Sequence, residues 1–358
     1  YEIHWRDWSS DVCSSDLAPY LDVWAFHGDF LQYSRLALVV MADIKSTVLV
    51  TGASGFVGKA VCEHLLALGA NVKGAVRSHP LAYYHVQAPS LTADANWTAQ
   101  LQQVDVVVHC AARVHVMSDT ATDPLAAFRA VNTEGTLALA RQAAEAGVKR
   151  FIFISSIKVN GEQTEPGKPF DEHVQSPPED PYGRSKYEAE QGLMEIAKEY
   201  GMAVTIIRPP LIYGEGVKAN FASMMTWVRK GLPLPFARLN NARSLLALPN
   251  LCDFIAHAMA HPAAVNQVFL VADPVAVSTS QLLAAIAEAE GVSCWLFYLP
   301  PGVIRGLGRC LGIDAKLQRI YGSLEMDTRK AQSRLQWSAP YSLSQTLSLM
   351  ASIHGESS

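Results

Sequence analysis

Tyr182 and Lys186 stand four residues apart in the run Tyr182-Gly183-Arg184-Ser185-Lys186. On a helix that spacing stacks two side chains one turn apart on one face. The pair could do proton chemistry. A phenol holds its proton to a pKa of about 10, and an ammonium held close favours the phenolate and lowers that value. A tyrosine tuned in this way exchanges a proton with a substrate hydroxyl near neutral pH. The stretch from Tyr187 to Tyr200 is rich in Glu, Ala, Lys, Leu and Met, which predicts the helix. Taken alone, Tyr-x-x-x-Lys is more often a solvated helix face. It gains meaning from a dinucleotide site and a third polar group, and both lie upstream.

The first positioning element is Thr47-Val48-Leu49-Val50, a β-branched apolar run expected as a buried parallel strand. Thr51-Gly52-Ala53-Ser54-Gly55-Phe56-Val57-Gly58 follows, and then an amphipathic helix pattern through Val61, Leu65, Leu66 and Leu68. Strand, glycine loop and helix in this order let backbone N–H groups approach a pyrophosphate at the positive helix end. The next strand, Asn71 to Val76, ends in Arg77-Ser78 with no carboxylate for a ribose hydroxyl. An Arg there suits a 2′-phosphate, so NADP(H) is favoured and NAD(H) remains open. The segment from His79 to Asn96 reads as loop. Val104 to His109 is a further core strand, followed by Cys110-Ala111-Ala112, whose small side chains let the backbone run beside a cofactor. His109 reads as a locally hydrogen-bonded strand-end residue. Pro124 to Ala146 is one long helical pattern, and Asn132 within it either meets the cofactor or backbone or caps a kink.

Phe151-Ile152-Phe153-Ile154 is another buried strand, ending in Ser155-Ser156. Ligands of doubly wound sheets sit at the carboxyl ends of strands. Ser156 could therefore donate to a substrate oxygen while Tyr182 exchanges its proton; a lone Ser-Ser would be a cap or turn. Gly161 to Pro181 reads as a surface loop able to fold over a ligand. With Ala203 to Ile207 as the next strand, the alternation predicts an α/β Rossmann-type doubly wound parallel sheet. After Arg208-Pro209-Pro210-Leu211-Ile212-Tyr213-Gly214 the pattern loosens into a smaller, interwoven C-terminal substrate-binding lobe. Lys218, Asn220 and Arg243 are its candidates for gripping a diphosphate and base, since phosphates want cationic or forked donors. Trp295 to Ile313 mixes apolar residues with Arg305 and Arg309; packing against the lobe is favoured over lying on a membrane surface.

Composition narrows the function classes. With 29 Lys and Arg against 33 Asp and Glu, a formal net charge of −4 and no basic block, nucleic acid is not the expected partner. The six cysteines (13, 62, 110, 252, 294 and 310) show no C-x-x-C spacing, so free thiols in a reducing cytoplasm are expected and no metal site. Residues 1–40 have neither the basic start nor the apolar core of a signal peptide. The run Trp5-Arg6-Asp7-Trp8-Ser9-Ser10-Asp11-Val12-Cys13-Ser14-Ser15-Asp16-Leu17 is similar to translated sequencing-adapter sequence, so 1–40 is read as an artefactual leader with Met41 as the start. The expected organisation is a cofactor domain over 41–208, a substrate lobe over 209–345 and a tail over 346–358. No run is long and apolar enough to span a bilayer.

Together, the glycine loop, His109-Cys110-Ala111-Ala112, Ser155-Ser156, Tyr182 to Lys186 and Arg208 to Gly214 resemble the extended short-chain dehydrogenase/reductase superfamily over about 47–340. Within it the chain resembles the nucleotide-sugar 4-epimerase/dehydratase family. Ala111 to Met117, Ser155 to Gly161, Gly216 to Phe221 and Gly231 to Pro235 resemble a bacterial polysaccharide subgroup of 4-keto-sugar reductases, many of whose members are labelled 4-epimerases. The resemblance implies Ser156, Tyr182 and Lys186 as the catalytic set, with Lys186 also holding the nicotinamide ribose. It implies cofactor contacts at Gly52, Ser54, Gly55, Phe56, Val57, Gly58, Arg77, Ala111, Asn132, Lys186 and Pro209. Arg243 matches an Arg that grips the nucleotide diphosphate. A UDP-sugar is the implied substrate, and a homodimer the implied assembly. Two departures stand out: Ala247-Leu248-Pro249-Asn250 replaces a Val-x-Asp-Asp stretch, and Val159-Asn160-Gly161 replaces Val-Tyr-Gly near the sugar. The favoured activity is reduction at C4 of a UDP-4-keto-6-deoxy-N-acetylhexosamine. The alternatives are 4-epimerisation of a UDP-hexose or lipid-linked N-acetylhexosamine, the latter bringing the protein to the membrane, and a redox-inactive NADP-binding regulator.

Overall fold

A computed structural model describes residues 46–114, 123–165, 167–300 and 320–356. The expected leader 1–40, Met41, the stretch 115–117 and most of the Trp295 to Ile313 run lie outside them. Seven strands form one fully parallel sheet in the order β3-β2-β1-β4-β5-β6-β9. In chain order its first half comprises β1 (Thr47–Thr51), α1 (Phe56–Ala67), β2 (Asn71–Val76), β3 (His85–Gln87), α2 (Thr98–Leu101) and β4 (Val106–His109). Next come α3 (Pro124–Arg129), a π turn (Ala130–Gly135), α4 (Thr136–Glu145), β5 (Arg150–Ile154), α5 (Pro181–Tyr200) and β6 (Ala203–Arg208). The strands are continuous apolar runs because helices cover both faces, so inward and outward residues alike lose water. Val48, Val108, Ile152, Phe153 and Ile206 are all fully buried.

The C-terminal part adds β7 (Leu211–Tyr213), α6 (Ala219–Arg229), β8 (Leu245–Ala247), α7 (Leu248–Ala260) and β9 (Gln267–Leu270). It closes with α8 (Thr279–Ala289), α9 (Arg329–Leu335) and α10 (Leu343–Glu356). Strands β7 and β8 pair in parallel as a separate two-stranded sheet. A second apolar core gathers Tyr213, Phe221, Phe236, Leu245 and Leu283 in this part.

Four sequence expectations change. The loop reading of 79–96 misses β3, a three-residue edge strand too short to show a period. The long helix from Pro124 is interrupted by the π turn that contains Asn132. The first sheet extends past 208: β9, from the lobe read as interwoven, returns to pair with β6. Residues 346–358 are not a free tail: through Glu356 they belong to α10, with Leu347 and Met350 buried in the second core.

Candidate active site

Sheet order reverses between β1 and β4, and the glycine loop leaves β1 at that point. Open parallel sheets bind ligands at such a reversal. Gly52 takes φ +70°, and a Cβ there would stand 2.9 Å from the Ala111 amide nitrogen. A Cβ on Gly58 would stand 2.2 Å from the Gly52 carbonyl oxygen. The loop, the first turn of α1 and the chain after β4 are therefore packed backbone to backbone. Gly55 caps α1 without a side-chain bond to its first amides. Those amides, at the positive helix end, fit a dinucleotide pyrophosphate. Ser54 and Gly55 are exposed beside them, Phe56 and Val57 half-buried. Arg77 is exposed immediately after β2. Pro209 is buried, and its carbonyl accepts the Ile157 amide at 3.0 Å, so it holds the turn after Ser156.

That turn carries the next group. Ser156 follows β5 in extended backbone (φ −159°), caps a short 3-10 turn (Ile157–Val159), and accepts the Lys158 amide at 3.2 Å. Helix α5 starts at Pro181, with Asp180 accepting the Gly183 amide at 2.8 Å as its N-cap. Gly183 has a steric cause: a Cβ there would lie 2.6 Å from the Lys158 carbonyl oxygen. Glycine thus lets the Ser156 turn and the Tyr182 turn touch. The Ser156 hydroxyl is close enough to the Tyr182 phenol to oppose the rise in its pKa. Lys186 is buried below, its Nζ donating to the Ile154 carbonyl at 2.9 Å and lying 4.4 Å from the Phe153 ring centroid.

The electrostatics differ from the sequence expectation. Burial, reinforced by the Asp180 carboxylate, pushes the Tyr182 phenol up to about 12 rather than down, with Ser156 opposing. Burial also lowers the Lys186 ammonium to about 8, with Cys110 and Glu190 opposing. Desolvation penalises both charged forms in a dry site. Tyr182 therefore stands as a protonated donor near neutral pH, and its phenolate needs further positive charge close by.

Asn132 is fully buried and fully engaged. Its Oδ1 accepts the Arg113 amide at 2.8 Å; its Nδ2 donates to the Arg113 carbonyl at 3.0 Å and to Ser185 Oγ at 3.1 Å. Thr133 donates to the Ser185 carbonyl at 2.8 Å. The π turn thus aims two side chains at the Tyr-x-x-x-Lys helix, as such bulges often do at functional sites. Asn132 was expected to meet the cofactor or backbone or to cap a kink; it meets backbone, at Arg113, and also bonds to Ser185 on α5.

His109 is the locally bonded residue expected, with Nδ1 2.7 Å from Thr51 Oγ1 and Nε2 3.0 Å from Thr136 Oγ1. Burial, with Lys186 adding to it, drives its pKa down to about 3. Unfolded, it would titrate near 6.5. Between these values the unfolded chain binds the extra proton, so stability present above pH 6.5 is lost as pH falls toward 3. Urea midpoints at pH 7 and pH 5 should therefore differ less in His109→Gln than in wild type; an equal difference would remove His109 as a source of acid sensitivity.

The expected substrate residues sit on two elements. Lys218 and Asn220 are exposed at the start of α6, and half-buried Arg243 precedes β8. Arg243 Nη1 donates to the Gly322 carbonyl at 2.8 Å, so part of its fork braces the lobe. The loop before α6 does reach the cofactor loop: a Cβ on Gly216 would stand 4.0 Å from the Phe56 ring. The departure at Asn250 is structural, its Nδ2 donating to Asp273 Oδ1 at 2.7 Å and its Oδ1 accepting the Tyr341 amide at 2.9 Å. Sequence reasoning missed Ser155, Glu190 and Arg208, which form a buried cluster behind Ser156. A signal existed: Glu190 lies one turn past Lys186 on the inward face of α5, where a carboxylate demands a partner.

The profile of the NAD dependent epimerase/dehydratase family matches residues 48–272. A UDP-glucose 4-epimerase of Vibrio cholerae is 44% identical over 304 residues, covering 83% of this chain and 92% of that one. An N-acetyl-alpha-D-glucosaminyl-diphospho-ditrans,octacis-undecaprenol 4-epimerase of Escherichia coli O157:H7 is 27% identical over 325 residues, covering 85% and 94%. The crystal structure of UDP-N-acetylglucosamine 4-epimerase from Bacillus cereus superposes with a TM-score of 0.70 at 20% identity, covering 86% of this chain and 99% of that one, which speaks to the fold. On its sheet, its glycine loop and the extent of these matches, the chain belongs to the NAD dependent epimerase/dehydratase family.

Proposed function

We propose that the protein is a UDP-sugar 4-epimerase using a dinucleotide held by the Gly52–Gly58 loop. This takes the alternative of the sequence analysis over its favoured 4-keto-sugar reductase, because two relatives matched over most of both chains are named 4-epimerases. The observation that carries the reading is Tyr182 in the first turn of α5, beside Ser156, with Lys186 buried one turn on and bonded to the end of β5. A bound NAD would supply a reversible hydride acceptor beside this set. The positive charge of an oxidised nicotinamide would favour the phenolate that burial disfavours; as phenolate, Tyr182 takes the proton of the sugar C4 hydroxyl on oxidation and returns it on reduction. Ser156 holds the same oxygen, and its donor position is fixed before the charge develops, which is what lowers such barriers. Lys186 keeps positive charge under the phenol; it also fixes the end of β5 through Ile154. Lys218, Asn220 and Arg243 hold the UDP diphosphate, where cationic and forked donors suit it. The test is to incubate the purified protein with UDP-glucose or UDP-N-acetylglucosamine, with no added cofactor, and follow C4 inversion by proton NMR. Interconversion without net redox supports the reading. Stoichiometric NADPH consumption with a UDP-4-keto sugar, and no inversion, overturns it.

One observation favours that second reading: exposed Arg77 where an acidic ribose partner would stand. It fits the 2′-phosphate of NADP. Arg77→Ser should then weaken NADPH binding by about tenfold or more while NADH changes little, since a charge-assisted contact contributes roughly 1.5–3 kcal/mol. Equal effects on both nucleotides in a fluorescence titration would show that Arg77 does not read the phosphate.

A further inference from the structure

Behind Ser156 lies an ion pair that the catalytic set does not use. Arg208, at the end of β6, and Glu190, on α5, are 4% and 1% exposed at their side chains. Arg208 Nε donates to Glu190 Oε1 at 3.0 Å and to Oε2 at 3.2 Å, and Nη2 donates to Oε2 at 2.6 Å. Ser155 Oγ donates to Glu190 Oε1. On its far side, Arg208 Nη1 donates to Asn160 Oδ1 and to the Glu172 carbonyl, each at 3.1 Å. Asn160 Nδ2 passes the connection on, donating to the carbonyls of Asp171 at 2.8 Å and His173 at 3.2 Å.

Burying two charges is costly unless every lone pair and proton finds a partner. Here the outlay serves one geometry. Glu190 is one helical turn from Lys186 and two from Tyr182, so the carboxylate rides on the element that carries both. It grips Ser155, whose neighbour is Ser156. Asn160, the residue that departs from the Val-Tyr-Gly pattern, carries the same clamp to the loop at 171–173.

We propose that Glu190 and Arg208 are positioning residues, a buried clamp fixing Ser156 against Tyr182 and Lys186 and, through Asn160, tying down the 171–173 loop. Neither touches the reacting atoms. The clamp sets the distance between elements that approach from three directions: the ends of β5 and β6 and the inner face of α5. A displacement of about 1 Å at such a point costs on the order of 10²-fold in rate. The kinetic part of this inference rests on the epimerase reading; the structural part does not.

The experiment uses the full chain with Ser155→Ala, Asn160→Ala, Glu190→Gln and the charge-neutral pair Glu190→Gln with Arg208→Met, which removes both ions should the single change fail to fold. Ser155→Ala and Glu190→Gln should each lower kcat by about 10- to 100-fold, with KM for the UDP-sugar and the content of bound nucleotide within about threefold of wild type. The Ser155→Ala, Glu190→Gln double variant should lose little more than the worse single one, as residues acting through one unit do. Amide hydrogen exchange supplies the activity-independent arm: Glu190→Gln, the charge-neutral pair and Asn160→Ala should each speed exchange in 171–173. If wild type inverts no UDP-sugar, the epimerase reading fails while the exchange result still decides the clamp. Additive kcat losses, losses expressed in KM alone, or unchanged exchange at 171–173 would overturn it.

Discussion

Tyr182→Phe is expected to keep the fold and lose about 10²- to 10⁴-fold of turnover, the usual contribution of a positioned proton donor. The change removes one oxygen. The ring keeps its edge contact with Phe128, whose centroid is 5.9 Å away, so packing gives no reason for unfolding. What disappears is the phenol beside Ser156, raised to about 12 by burial and Asp180. Tyr213, in the second core, is engaged elsewhere, donating to Asp273 at 2.8 Å. Thermal melting and bound-nucleotide content should match wild type while C4 inversion collapses. Turnover within tenfold of wild type would take the proton role away from Tyr182 and leave the buried Lys186 without a catalytic partner.

Gly58→Ala is expected to cripple cofactor binding by a different route. The new methyl carbon would lie 2.2 Å from the Gly52 oxygen, 2.6 Å from the Gly52 carbonyl carbon and 3.1 Å from the Ala53 nitrogen. All three are backbone, so no rotamer relieves the clash. Either α1 backs away from the sheet or the loop opens, and opening is blocked because Gly52 is itself pressed on Ala111. Overpacking of this kind costs about 1–3 kcal/mol, which corresponds to roughly 5- to 150-fold in a dissociation constant if the loop bears it. Isothermal titration with NAD and NADPH would read it directly. Wild-type affinity for both would mean that the dinucleotide does not approach the Gly52–Gly58 backbone.

The elements that carry the candidate site were legible in the sequence. A strand, three glycines and a helix make a pyrophosphate cradle by local chemistry alone, because the turn and the helix end are short-range features. The Tyr-x-x-x-Lys face follows from helical period, and Ser156 from its place after a buried strand. His109 was also read correctly, as a packed residue rather than a catalyst. The fold class came from the alternation of apolar runs and amphipathic helices.

Long-range facts were hidden for identifiable reasons. A π turn adds a residue to a helix without altering its composition, so nothing in Val131-Asn132-Thr133 announces that Asn132 and Thr133 will grip Ser185. Strand β9 reads like any apolar run; its return to β6 is a matter of which edge remains open. The phenol moved opposite to expectation because pair spacing does not report the removal of water, and here burial, reinforced by Asp180, raises it. Arg208 and Glu190 are 18 residues apart and on different elements, and only folding shows that each is the other's partner.

The sequence by itself determined the chemical groups available and their local spacing: a glycine-lined helix end, a phenol one turn from an ammonium, a serine at a strand end. Tertiary structure decided their protonation, their distances and which side chains hold them. The physical reason is that spacing is a property of one element, whereas desolvation and clamping need several elements to close around the same point.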